Sequence, residues 1–93
     1  MRVVARNQRT RFGEIDLVCR DRDGYVFVEV KTRRHSSFVS AAEAVDPRKL
    51  ARLQGLALAW ASEHRVGGRI RLVVAAVTVD TVGTTVDLIA VAG

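Results

Sequence analysis

At 93 residues the chain has room for one modest hydrophobic core and none for a second, so a single domain over residues 1–93 is expected. Its 48% hydrophobic and 27% charged residues exclude a disordered tail or a fibrous repeat. Apolar runs such as Leu72 to Val77 and Leu88 to Ala92 fall far below the ~18 residues of a membrane span, so no membrane partner is expected.

The formal charge is +5, and Arg2, Arg6, Arg9 and Arg11 all precede the first acid. Such clustering favours a polyanionic partner over a merely solvated basic surface. A single cysteine, Cys19, excludes an intrachain disulfide framework and a multi-cysteine zinc site, and its apolar setting reads as core filler. Met1 to Arg11 mixes arginine with valine and polar residues, unlike a secretory leader, so a cytoplasmic location is expected.

In chain order, Arg2 to Asn7 reads as a short strand and Arg9 to Gly13 as a connection. Glu14 to Arg20 alternates, with Ile15, Leu17 and Cys19 expected on one face and Glu14, Asp16 and Val18 on the other. Asp21-Arg22-Asp23-Gly24 is a strong turn signal, and Tyr25 to Lys31 completes a hairpin. Arg33 to Phe38 reads as a loop, followed by a capping-box spacing from Ser40 to Glu43. Asp46-Pro47 then opens the main helix, in which Leu50, Leu53, Leu56, Ala57 and Trp60 recur on one side up to about His64. Ile70 to Val79 has the near-continuous apolar content of an internal strand, and Thr85 to Val91 is the last strand. A strand–helix–strand crossover sets the strands at Tyr25–Lys31 and Ile70–Val79 parallel within a mixed sheet. The expected class is therefore α/β, of the α+β kind, with about five strands and one long helix.

The chemistry concentrates on the hairpin. In Tyr25 to Lys31 the valines share one face and Glu29 and Lys31 the other. Symmetric folding about the turn sets Asp16 across from Glu29 and Glu14 across from Lys31. Directly opposed Cβ atoms lie roughly 4.5–5.5 Å apart, close enough for both acids to reach one cation. Without a cation, opposed like charges would destabilise the pair. Magnesium suits one or two carboxylates completed by water and substrate phosphate, and manganese is the natural substitute. Lys31 would position the metal-bound water or stabilise the anionic transition state, with Glu14 as its pairing acid. The plainer alternative is a solvated face carrying acid–base pairs.

Gly13-Glu14-Ile15-Asp16-Leu17-Val18, then Val26-Phe27-Val28-Glu29-Val30-Lys31-Thr32-Arg33, then Glu43-Ala44-Val45 and Lys49, resemble the YraN-type family of predicted endonuclease-like proteins over about Arg2 to Trp60. The resemblance implies the PD-(D/E)xK superfamily, hence a restriction-endonuclease-like core and metal-dependent phosphodiester hydrolysis. It implies Asp16 and Glu29 as metal-binding acids, the backbone carbonyl of Val30 as a further ligand, and Lys31 as the catalytic lysine. Two departures stand out. Family members usually begin with a helix carrying a Gly-Glu pair, and this sequence starts after it. They also tend to carry an acid early in the strand after the main helix, where this chain has Ile70-Arg71-Leu72. Without the N-terminal family helix one sheet face should expose apolar side chains, so a homodimer through that face is expected.

Arg11, Arg33, Arg34, Arg48, Lys49 and Arg52 are the candidate DNA-backbone contacts, weighed against ordinary exposed charges. Glu43 is an accessory acid or simply part of the capping box. His35 and His64 lack metal-ligand spacing. Aromatics are too few for single-strand stacking, which points to duplex or branched DNA. The expectation is a magnesium- or manganese-dependent DNA endonuclease, with a catalytically inactive nucleic-acid-binding module of the same fold as the alternative. A small interaction domain with no nucleic-acid role is a third possibility.

Overall fold

The structure is a computed structural model that describes residues 1–34 and 46–92. The elements in order are β1 (Arg2–Thr10), β2 (Gly13–Asp21), β3 (Gly24–Arg34), α1 (Pro47–Glu63), β4 (Arg69–Val79) and β5 (Thr84–Ala92). The strands form one sheet in sequence order, with β3 and β4 parallel and every other neighbouring pair antiparallel. This is the expected mixed α+β architecture of five strands and one long helix. The parallel pair follows from α1 lying in the connection between β3 and β4.

Local chemistry fixes the turns. Gly24 has φ +139, and a Cβ there would stand 2.2 Å from the carbonyl oxygen of Arg69, so the first β3–β4 pair needs glycine. The Asp21 carboxylate accepts from the amide of Asp23 at 2.9 Å and closes the same turn. Asp46 caps α1 by accepting from the Arg48 amide at 2.8 Å, with Pro47 in the first turn. The helix stops at His64. Arg65 there takes a left-handed φ of 53, and the Val66 amide donates to the Ala61 carbonyl at 3.0 Å.

One face of α1 builds the main core. Leu53, Leu56, Ala57 and Trp60 pack on Ile15, Val18, Phe27 and Leu72. Fully burying a side chain such as Leu56 stabilises the fold by about 1.5–3 kcal/mol. Trp60 meets Tyr25 and Phe27 at ring distances of 5.8 and 5.7 Å, and its indole N–H donates to the Gln8 side chain at 3.2 Å. Cys19, Val26, Val28 and Ala75 form a second buried cluster. Cys19 is a free buried cysteine, and burial pushes its thiol pKa up, which fits a packing role. Among the described residues, no helix is long and apolar enough to cross a membrane.

Four expectations need correction. β1 runs on to Thr10, so the connection shrinks to Arg11 and Phe12; the Thr10 hydroxyl donates to the Gly13 carbonyl and accepts from the Phe12 amide. β3 extends to Arg34, so Arg33 and Arg34 are strand residues paired with Thr78 and Val79 rather than loop. Ile15 joins Val18 in the helix-side core instead of sharing a face with Leu17 and Cys19. The fourth concerns register and is described with the site. The capping box from Ser40 to Glu43, and with it Glu43 and His35, lies outside the described residues.

Candidate active site

The hairpin register agrees with symmetric folding for five pairs, from Asp21↔Gly24 to Leu17↔Val28, and the ladder ends there. Asp16 and Glu29 are next in line but are not a registered pair. Instead, Asp16 Oδ2 accepts a hydrogen bond from the Val30 amide at 2.8 Å. The carboxylate takes over a backbone donor where the two strands part, and so sits beside the Glu29–Val30 peptide. Glu14, expected across from Lys31, is paired through its Cα with Arg9 on β1 and is exposed. The strands have already separated, so the sequence-level symmetry overreached by the last two positions.

The other half of the site comes from α1. Glu29 shares the helix-side face with Phe27, and its Oε1 lies 3.5 Å from the Arg52 guanidinium. That contact is modest, because the Arg52 side chain is 55% exposed and solvent screens it. Glu29 also lines a narrow crevice with Asp46, Lys49, Leu50 and Leu53. Lys31 stands on the same face as Glu29, two residues on. Its pKa is lowered, first by the Lys49 side chain beside it, then by burial and by the charge of Lys49, while Glu29 works in the opposite sense. Two ammonium groups that close repel each other and draw an anion between them.

The candidate cations divide into two groups. Lys49, Arg52 and Arg33 sit in the neighbourhood of Glu29 and Lys31: Arg52 by its ion pair, Lys49 by its contact with Lys31, and Arg33 by the field it adds at Lys31. Arg33 Nε is buried without a hydrogen-bond partner. Arg48 and Arg34 are exposed, and Arg11 lies at the β1–β2 turn with its guanidinium over the Phe12 ring at 5.5 Å. That turn is near the site as well, since a Cβ on Gly13 would lie 3.6 Å from Arg52.

The Lys31–Lys49 contact and the Val30 amide bond were not visible in the sequence. Helical periodicity shows which α1 residues face the sheet, but not which β3 side chain each one meets. On β4, Arg71 is paired with Asp21 and holds that carboxyl down to about 2.

Comparison with known proteins gives consistent results. The sequence model of the uncharacterised protein family UPF0102 matches residues 1–91. A UPF0102 protein of Kineococcus radiotolerans is 52% identical over 85 residues, covering 89% of this chain and 70% of the relative. Another, from Acidothermus cellulolyticus, is 53% identical over 64 residues, covering 69% of this chain and 48% of the relative. A third, from Nocardia farcinica, is 52% identical over 64 residues, 69% of this chain and 50% of the relative. The chain thus spans about half the length of the last two.

Proposed function

We propose that this chain, which belongs to the uncharacterised protein family UPF0102, the YraN type, is a metal-dependent endonuclease acting on duplex or branched DNA. The observation that carries this reading is the Asp16 carboxylate anchored to the Val30 amide beside Glu29, with Lys31 on the same strand face as Glu29. Two carboxylates and the neighbouring Val30 carbonyl are hard oxygen donors, a set that fits magnesium or manganese and not a thiophilic metal. Asp16, Glu29 and the Val30 carbonyl would hold the ion. A bound ion there would neutralise charge on the scissile phosphate and acidify a water.

The remaining steps belong to the chain's own side chains. Lys31 and Lys49 would bind the non-bridging phosphate oxygens and stabilise the extra negative charge of the transition state. Arg52, which shields Glu29 here, would swing to the DNA backbone when Glu29 takes a cation. Arg11, Arg33, Arg34 and Arg48 would add sequence-independent, salt-sensitive contacts. Glu14, exposed two residues before Asp16 on β2, would serve as an accessory acid.

One observation favours a second reading, a nucleic-acid-binding module without catalysis. Arg52, Lys49 and Arg33 gather around Glu29 and Lys31, a cation-rich patch that would hold a DNA backbone with no ion bound. Plasmid and branched-DNA cleavage with and without magnesium or manganese separates the two. The endonuclease predicts metal-dependent nicking that falls on the order of 100-fold or more in Asp16→Ala. Salt-sensitive binding without cleavage, unchanged in Asp16→Ala, would leave the binding module.

A further inference from the structure

We infer that Asn7 is a positioning residue for Asp16, holding a local break in the β1–β2 ladder that delivers the Asp16 carboxylate to the Val30 amide. The inference rests on the reading of Asp16 as a site residue. Three observations converge on this point of the sheet.

First, the β1–β2 pairs Arg6↔Leu17 and Gln8↔Ile15 bracket one position at which Asn7 would face Asp16, and that pair is missing from the ladder. Second, Asn7 has φ 49, a left-handed backbone that side chains other than glycine and asparagine rarely adopt, within a strand otherwise extended. Third, the side-chain alternation of β2 breaks at the same place. Ile15 and Val18, three apart, both enter the helix-side core, whereas Leu17 and Cys19 belong to the opposite face. Regular alternation would send positions 15 and 18 to opposite faces.

Apart from a register shift between Val3 and Ala5 nearer the start of β1, the ladder is interrupted at Asn7 on one strand and Asp16 on the other. Asp16 is unpaired on both sides, since the β2–β3 ladder also stops at Leu17↔Val28. Local irregularities of this kind re-aim one side chain without unravelling the sheet. Here the re-aimed side chain is the aspartate, which bonds to Val30 instead of standing upright on a regular strand. Asparagine tolerates the left-handed well, glycine enters it freely, and a β-branched residue resists it most.

The test compares the wild type with Asn7→Gly, Asn7→Ala and Asn7→Val by two readouts: amide hydrogen exchange at Val30, and manganese affinity. Asn7→Gly is expected to keep both within about twofold. Asn7→Val is expected to speed Val30 exchange and weaken manganese binding by at least about tenfold, with exchange in the core strands around Val18 and Phe27 unchanged. If Asn7→Val does not fold, Asn7→Ala carries the same comparison at smaller amplitude. Rescue by glycine is the signature that a general loss of packing would not give. Val30 protection unchanged in both Asn7→Ala and Asn7→Val, or lost equally in Asn7→Gly, would overturn the inference. If the wild type itself binds no manganese, the metal reading of the site fails, while the exchange arm still decides the role of Asn7.

Discussion

At the residue scale, the site is a meeting of charges that would repel or lie idle without a ligand. Lys31 and Lys49 are neighbours, and the pKa of Lys31 is lowered chiefly by the Lys49 side chain. Lys49→Met removes the neighbouring donor, and the Lys31 pKa is then expected to rise toward the ordinary lysine range. Titration of the lysine side-chain carbon shifts by NMR would show it; an unmoved Lys31 would mean that the pair is not formed in solution. Asp21 gives a second titration. Its hydrogen bond with Arg71 holds the folded pKa at about 2, below an ordinary aspartate value of ~3.9. A carboxylate depressed by folding adds stability that is present above the unfolded value and is lost as pH falls through the folded one. Acid unfolding of Arg71→Met should therefore lose part of the steepness that the wild type shows across that window. Identical acid limbs for the two proteins would show that the pair contributes nothing.

At the element scale, the strands were legible because their apolar residues alternate, and α1 because its apolar residues recur at helical spacing behind Asp46 and Pro47. The hairpin at Asp21–Gly24 could be placed to the residue, since turn chemistry sets register directly. Gly24→Ala offers a severe test, because the added Cβ would run into the Arg69 carbonyl at a backbone angle that alanine resists. The substitution is expected to cost about 2 kcal/mol or more in urea unfolding, and a loss under ~0.5 kcal/mol would contradict the close β3–β4 approach. The errors share a physical cause. Hairpin symmetry extends to Asp16 only if β2 is regular, and the alternation of β2 breaks at Asp16, opposite Asn7. Strict alternation placed Ile15 with Leu17 for the same reason. Nothing in the composition of Arg6-Asn7-Gln8 marks a left-handed backbone, although asparagine adopts it more readily than most residues other than glycine. Parallel pairing with β4 carries β3 through Arg33 and Arg34, a tertiary effect that the local sequence does not signal.

At the scale of the whole molecule, a mixed sheet with α1 on one face separates the chemistry from the fold's remaining apolar surface. Glu29 and Lys31 open on the helix side, beside Lys49 and Arg52. On the opposite side, Leu88 and Val86 are paired with Ala75 and Val77, and stand 60% and 54% exposed on an edge strand. An exposed apolar edge of this kind favours association between copies. Sedimentation should therefore show a concentration-dependent dimer that Leu88→Lys weakens, and a wild type that stays monomeric at high concentration would contradict it. Family membership covers almost the whole chain. The proposed metal-binding groups lie on β2 and β3, beside the first half of α1. The most direct measurement is paramagnetic broadening of backbone amide signals by manganese. Shared coordination by Asp16 and Glu29 predicts broadening centred on residues 16 and 29–31, abolished in both Asp16→Ala and Glu29→Ala. Broadening centred elsewhere, or surviving either substitution, would contradict it.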